Sequence, residues 1–145
     1  MRTRTSVSAL ALAVCLVLAS RANAAESTEA QAGHNLYEQH CYVCHGLRAK
    51  GDGPLAEQLR VAPADLTTIA KRRGGVFPDV ELRETIDGRR RVRGHGPANM
   101  PLWGKVFANQ GAGAAHESEV RDKIESLVTY LKSIQDPPLP APTGR

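Results

Sequence analysis

The sequence predicts an all-α fold of short helices and long loops, closed where its first and last helices cross. Three observations carry this expectation. Residues from about Glu117 to Ile134 place Val120, Ile124, Leu127, Val128, Leu131 and Ile134 on one face at a 3.6-residue period. An earlier helix is expected from about Glu29 to His40, with Leu36 and Tyr37 facing inward and Gly33 four residues before Tyr37. No run of alternating apolar and polar residues is long enough for a strand. Glycine in a helix costs about 1 kcal/mol relative to alanine. Gly33 therefore signals either a weak helix or a close backbone contact, and the apolar stripe at the far end of the chain favours the second, with the last helix crossing there and Tyr37 set against Leu127 and Tyr130.

The fold is expected to begin after the first 24 residues. Arg2 and Arg4 give a basic start, Ala9–Ala19 is an apolar run of eleven residues, and Ala22-Asn23-Ala24 is an A-x-A cleavage site. Together these read as a secretory signal over 1–24, cut after Ala24, and imply an exported, periplasmic destination. Eleven apolar residues are too few to span a bilayer, which takes roughly 20. A lipoprotein reading through Cys15 fits poorly, because Val14 is large where such sites need a small residue. Loss of Arg2, Arg4 and Arg21, with no acid, takes the formal charge from +4 to +1. The basicity is thus a targeting feature and gives no indication of a nucleic-acid partner. The remaining 121 of 145 residues divide into one domain over 25–135 and a tail over 136–145, whose four prolines predict an extended, flexible segment.

Between the two long helices the chain reads mostly as loops. Gly51-Asp52-Gly53-Pro54 is a turn signal, followed by a short helical stretch through Leu55 and Leu59. Pro63 interrupts, Asp65-Leu66-Thr67 begins a loop or short helix, and Gly74-Gly75 breaks the chain again. Asp79 is expected to N-cap a helix through Leu82 and Ile86 that ends at Gly88. The segment from Arg89 to Ala114, with five glycines and two prolines, is expected to be largely irregular.

The chemistry centres on Cys41-Tyr42-Val43-Cys44-His45, the C-x-x-C-H pattern of covalent c-type haem attachment. On a helix these three residues stand at i, i+3 and i+4 and share one face. Two thiols there can form thioethers with the two haem vinyl groups while the imidazole binds the iron from the same side. The alternatives are a thioredoxin-like redox pair, which expects a βαβ setting, and half of a zinc site, which needs further ligand pairs. With one covalent haem c held by Cys41 and Cys44 and the iron bound by His45, the sixth iron position decides between electron transfer and chemistry. Outside the signal the chain has one methionine, Met100, 55 residues beyond His45. Pro101 biases it towards an extended backbone, which suits a ligand pointing inward from a loop. A core methionine filling a gap is the competing reading. The rival ligands are His34, His40, His95 and His116, with His95 the strongest because it shares the Met100 loop.

These residues together resemble a class I c-type cytochrome of the bacterial exported, monohaem kind. The resemblance rests on the Gly33/Tyr37 helix, Cys41-Tyr42-Val43-Cys44-His45-Gly46, Gly51-Asp52-Gly53-Pro54-Leu55, Met100-Pro101-Leu102-Trp103 and the Leu127/Tyr130 helix. It implies a cytochrome c-like fold around one haem and a one-electron carrier that is not an enzyme, with His45 and Met100 as iron ligands. It also implies that Pro54 accepts the His45 Nδ1–H proton through its carbonyl and that Trp103 is a cofactor-binding residue. The implied partners are a redox donor and acceptor, without nucleic acid or an integral membrane segment, and association with a membrane oxidoreductase is compatible with this. An electron-relay subunit of such a complex is the alternative function, followed by a haem enzyme or gas sensor with an open sixth site. Arg89, Arg90, Arg91 and Arg93, with Lys71, Arg72 and Arg73 earlier, are either solvated surface or a docking patch for acidic partners.

Overall fold

The computed structural model of the chain describes residues 26–89, 100–110 and 114–140. The expected signal segment, most of the arginine cluster, His95 and the end of the tail lie outside the described residues. Helix α1 covers 26–40, and after one turn residue the chain enters α2, Tyr42–His45. Two 3₁₀ turns follow, Ala56–Gln58 and Leu66–Thr68, the second running into α3, Ile69–Arg72. Then come α4, Asp79–Asp87, α5, Trp103–Ala108, and α6, Ala114–Ser133. Among the described residues there is no strand, and the all-α expectation holds.

The crossing of α1 and α6 is where the sequence placed it. A Cβ on Gly33 would collide with the Ser126 carbonyl oxygen and stand 2.8 Å from the Tyr130 Cβ, so only glycine lets the two backbones approach this closely. Tyr37 packs its ring 5.3 Å from that of Tyr130 and is 1% exposed. Its hydroxyl donates to the Gly46 carbonyl at 2.5 Å, and burial holds the phenol far above its ordinary range. The predicted stripe on α6 is the core: Ile124, Leu127, Val128 and Leu131 are buried, with Val120 and Ile134 packed partly against them. Each fully buried Leu or Val side chain contributes about 1.5–3 kcal/mol by leaving water. Helix α4 is laid against α6 through Arg83 and Glu125, bonded twice, and through Lys132 Nζ on Asp79 Oδ1 at 3.0 Å.

Three expectations need correction. Asp79 does not cap α4: Pro78 occupies the N-cap position without a side-chain bond, and Asp79 is the first helical residue. There its carboxylate faces the positive end of the helix and takes the Lys132 ammonium. Within the segment from Arg89 to Ala114, expected to be largely irregular, the described residues include the unforeseen helix α5. Its fully buried Phe107 anchors it, with the ring tilted against Trp103 at 5.7 Å and edge-to-face with His40 at 5.3 Å. Tertiary packing thus overrides the weak propensity of a six-residue helix containing Gly104. The tail, finally, starts anchored, since Asp136 N–H donates to Thr67 O at 2.7 Å and Leu139 packs against the core.

Candidate functional site

The end of α1 and the turn of α2 deliver the attachment residues as one unit. Cys41 N–H continues the helical ladder to Tyr37 O at 2.8 Å, and Cys44 N–H and His45 N–H both reach Cys41 O, at 3.1 and 2.9 Å. This single turn brings Cys41, Cys44 and His45 to the border of one cleft. The same cleft is lined by Met100, Pro101 and Trp103 from the start of α5 and the segment leading into it.

The cleft has two contiguous halves, and Cys41, His45, Met100 and Trp103 line both. One half is walled by Cys44, Leu59, Val61, Ala62 and Pro63. The other runs inward between Leu66, Ile69, Leu82, Ile86, Leu127 and Leu131, with Arg72, Arg73, Glu81 and Thr85 at its polar margin. This inner half is a cavity of about 260 Å³, just under the roughly 300–1,000 Å³ of small-molecule and cofactor sites.

The donor set selects among the readings of the C-x-x-C-H motif. Cys41 and Cys44 are not joined in a disulfide. The Cys41 thiol is pushed up to about 12, by burial first and by neighbouring Cys44 second, opposite to the depressed value of a nucleophilic C-x-x-C redox pair. Among the described residues no group of three or more His, Cys, Asp or Glu converges as a metal site, which removes the zinc reading there. Two thiols and an imidazole on one turn, with a thioether and apolar side chains lining the same cleft, fit a haem c.

His45 is 7% exposed, and its Nδ1 lies 3.0 Å from the Ala64 carbonyl oxygen. A carbonyl can only accept, so Nδ1 carries the proton and the ring is held as the Nδ1–H tautomer, the form in which a histidine ligates through Nε2. The acceptor is therefore Ala64, not Pro54. Gly53 N–H donates to Cys44 O at 3.1 Å and Leu55 N–H to Val43 O at 2.9 Å. These bonds strap Pro54 along the outside of α2, beside a shallow hollow with Tyr42, Leu47 and Arg48. The Nδ1 acceptor comes from further along the chain, at Ala64. A role borne by a backbone carbonyl leaves no side-chain signature in the sequence, so nothing there separates Ala64 from Pro54.

Trp103 starts α5, with its ring 5.1 Å from that of His40. Met100 is half-buried at the cleft. Three of the four rival histidines have other engagements, and the fourth, His95, lies outside the described residues. His34 sets its ring 5.1 Å from Tyr130 and lies 3.8 Å from Glu38. His40 borders the cleft from the Cys41 side and is packed on Trp103 and Phe107; burial, then Lys123, holds its pKa below the ordinary histidine value. His116 is buried with Nε2 donating to Ala108 O at 2.6 Å, closing the end of α5. Arg89 pairs with Asp87, while Arg90, Arg91 and Arg93 lie outside the described residues. No helix among the described residues is long and apolar enough to cross a membrane.

The family described as "Cytochrome C oxidase, cbb3-type, subunit III" matches residues 28–117, more than half of the chain, from α1 into the start of α6. No curated protein and no solved structure matches the chain. The matched span contains the attachment turn, the Ala64 carbonyl and the Met100 segment, so that family and cleft point to the same chemistry. The chain belongs to this cytochrome family: it is a c-type cytochrome that binds one haem c covalently and carries electrons.

Proposed function

We propose that the chain is an exported, periplasmic one-electron carrier, with its working domain over 25–135 behind a signal cut after Ala24. Cys41 and Cys44 are its thioether anchors, His45 its proximal iron ligand and Met100 its distal ligand. The observation that carries this reading is the shared lining of the cleft: His45 and Met100 border both of its halves. A bound haem c supplies an iron that takes up one electron and gives it up again.

The chain's own residues do the rest. The Ala64 carbonyl holds the His45 imidazole in one tautomer and one orientation and raises its basicity. The Met100 thioether favours the ferrous state, and the Leu66, Ile69, Leu82 and Ile86 walls exclude water and disfavour the extra charge of the ferric state. With His45 and Met100 both holding the iron, little of the site would need to rearrange between oxidation states, which is what rapid electron transfer requires. A second reading is an electron-relay subunit of a membrane oxidoreductase, favoured by the matched family's description as an oxidase subunit.

Absorption spectra of the purified protein in both oxidation states test the ligand assignment. Low-spin ferric and ferrous spectra with the weak far-red band of methionine coordination are expected. A high-spin ferric spectrum at neutral pH would reject Met100. Co-purification with a membrane oxidase under mild detergent would favour the relay subunit over the free carrier.

A further inference from the structure

The bond between His45 and Ala64 depends on a stretch with little structure of its own, since residues 59–65 belong to no helix. What fixes that stretch comes from the far end of the chain. Gln135, just beyond α6, is 4% exposed. Its Oε1 accepts from Ala70 N–H at 2.9 Å, and its Nε2 donates to Leu66 O at 2.9 Å and to Leu131 O at 2.6 Å. Next to it, Asp136 N–H donates to Thr67 O at 2.7 Å. On the other side Leu66 N–H donates to Ala49 O at 2.7 Å, and Gly51 packs so closely that a Cβ would collide with the Pro63 carbonyl oxygen. Residues 63–70 are thereby clamped between the loop after α2 and the end of α6.

The bond to Leu131 is ordinary helix-end chemistry, because the last carbonyls of α6 lack intrahelical partners. The other two bonds are not. They span 65 and 69 residues of sequence and converge on the segment that carries Ala64. We infer that Gln135 is a positioning residue of the redox site, fixing the Ala64 peptide and hence the strength of the His45 Nδ1–H bond. The inference rests on the reading of His45 as the proximal ligand. A strong bond from Nδ1–H gives the imidazole more anionic character, makes it a better donor and favours Fe(III). Relaxing the clamp weakens that bond and raises the reduction potential.

Two variants of the haem-loaded protein test this. Gln135→Met keeps length and volume and removes all three bonds. Gln135→Asn keeps a wettable amide but is shorter by one C–C bond, about 1.5 Å, and carries the test if Gln135→Met fails to fold. The readouts are the reduction potential and the exchange rate of the His45 Nδ1–H proton in the reduced, diamagnetic state. Val120→Ala, at a partly buried position of α6 away from this clamp, controls for lost stability. Both Gln135 variants are expected to keep covalent haem, shift the potential upward and accelerate Nδ1–H exchange well below the unfolding transition. Val120→Ala is expected to leave both unchanged. Unaltered potential and exchange in the Gln135 variants, with His45 still coordinating, overturn the role of Gln135 and leave the ligand reading standing. An unmutated protein lacking the Nδ1–H resonance of a coordinated histidine overturns both.

Discussion

Substituting Gly33 by leucine tests the crossing that closes the domain. Helix propensity by itself favours the change by about 1 kcal/mol. Against it, a leucine begins at a Cβ that would overlap the Ser126 carbonyl oxygen and lie 2.8 Å from the Tyr130 Cβ. The Ser126 oxygen is backbone in the middle of α6 and cannot rotate away, so relief requires α6 to lift off α1. Overpacking of this kind costs about 1–3 kcal/mol. Lifting also loosens the Tyr37–Tyr130 ring pair at 5.3 Å, an arrangement worth about 0.5–1.5 kcal/mol. The net expectation is a destabilisation of about 1–3 kcal/mol, or roughly 5–15 °C in Tm for a domain of this size. The assay is urea and thermal unfolding of the haem-loaded protein followed by helical circular dichroism. Ala32→Leu, one residue earlier and exposed, provides the comparison and should stay within about ±0.5 kcal/mol. If the two variants unfold at the same midpoint, Gly33 does not hold the crossing.

Met100→Ala is expected to open the sixth iron position, lower the reduction potential and allow carbon monoxide to bind the reduced form; the same result from His95→Ala, with Met100→Ala silent, would transfer the assignment to His95. For His40, burial and then Lys123 lower the pKa from 6.5, so the unfolded chain takes up this proton before the folded one. Stability is therefore expected to fall as pH drops below about 6.5, and His40→Gln should flatten that slope in acid unfolding titrations. Replacing Arg89, Arg90 and Arg91 with glutamine should slow oxidation by an anionic partner at low ionic strength, and the difference should fade as added salt brings the Debye length below about 10 Å. Equal rates at low salt and equal potential would return these arginines to ordinary surface.

Where side chains carry the information, the sequence was legible. The period of Ile124, Leu127, Val128 and Leu131 located α6 because burial on one face leaves a periodic trace, and Gly33 stood out because a helix does not tolerate glycine without a reason. The C-x-x-C-H turn was readable because its chemistry requires fixed residue types at fixed spacing. Where the backbone acts, legibility failed. The carbonyl of Ala64 replaces that of Pro54, and nothing in either residue's identity distinguishes them; only the bonds strapping Gly53 and Leu55 to α2 do so. Helix α5 was hidden because Gly104 and the neighbouring glycines and prolines outweigh Phe107 locally, while in the fold Phe107 is fully buried and decides the outcome. Gln135 reads as an unremarkable polar residue before a proline-rich tail, and its three bonds exist only once α6 and the 66–70 turn have met.

The central claim is that Cys41 and Cys44 hold one haem covalently, and haem staining of the denatured chain tests it most directly. On a denaturing gel, haem peroxidase activity is expected to travel with the polypeptide and to disappear in the double variant Cys41→Ala, Cys44→Ala. Haem that instead extracts from the unmutated protein into acidified organic solvent, leaving an unstained chain, would contradict the account.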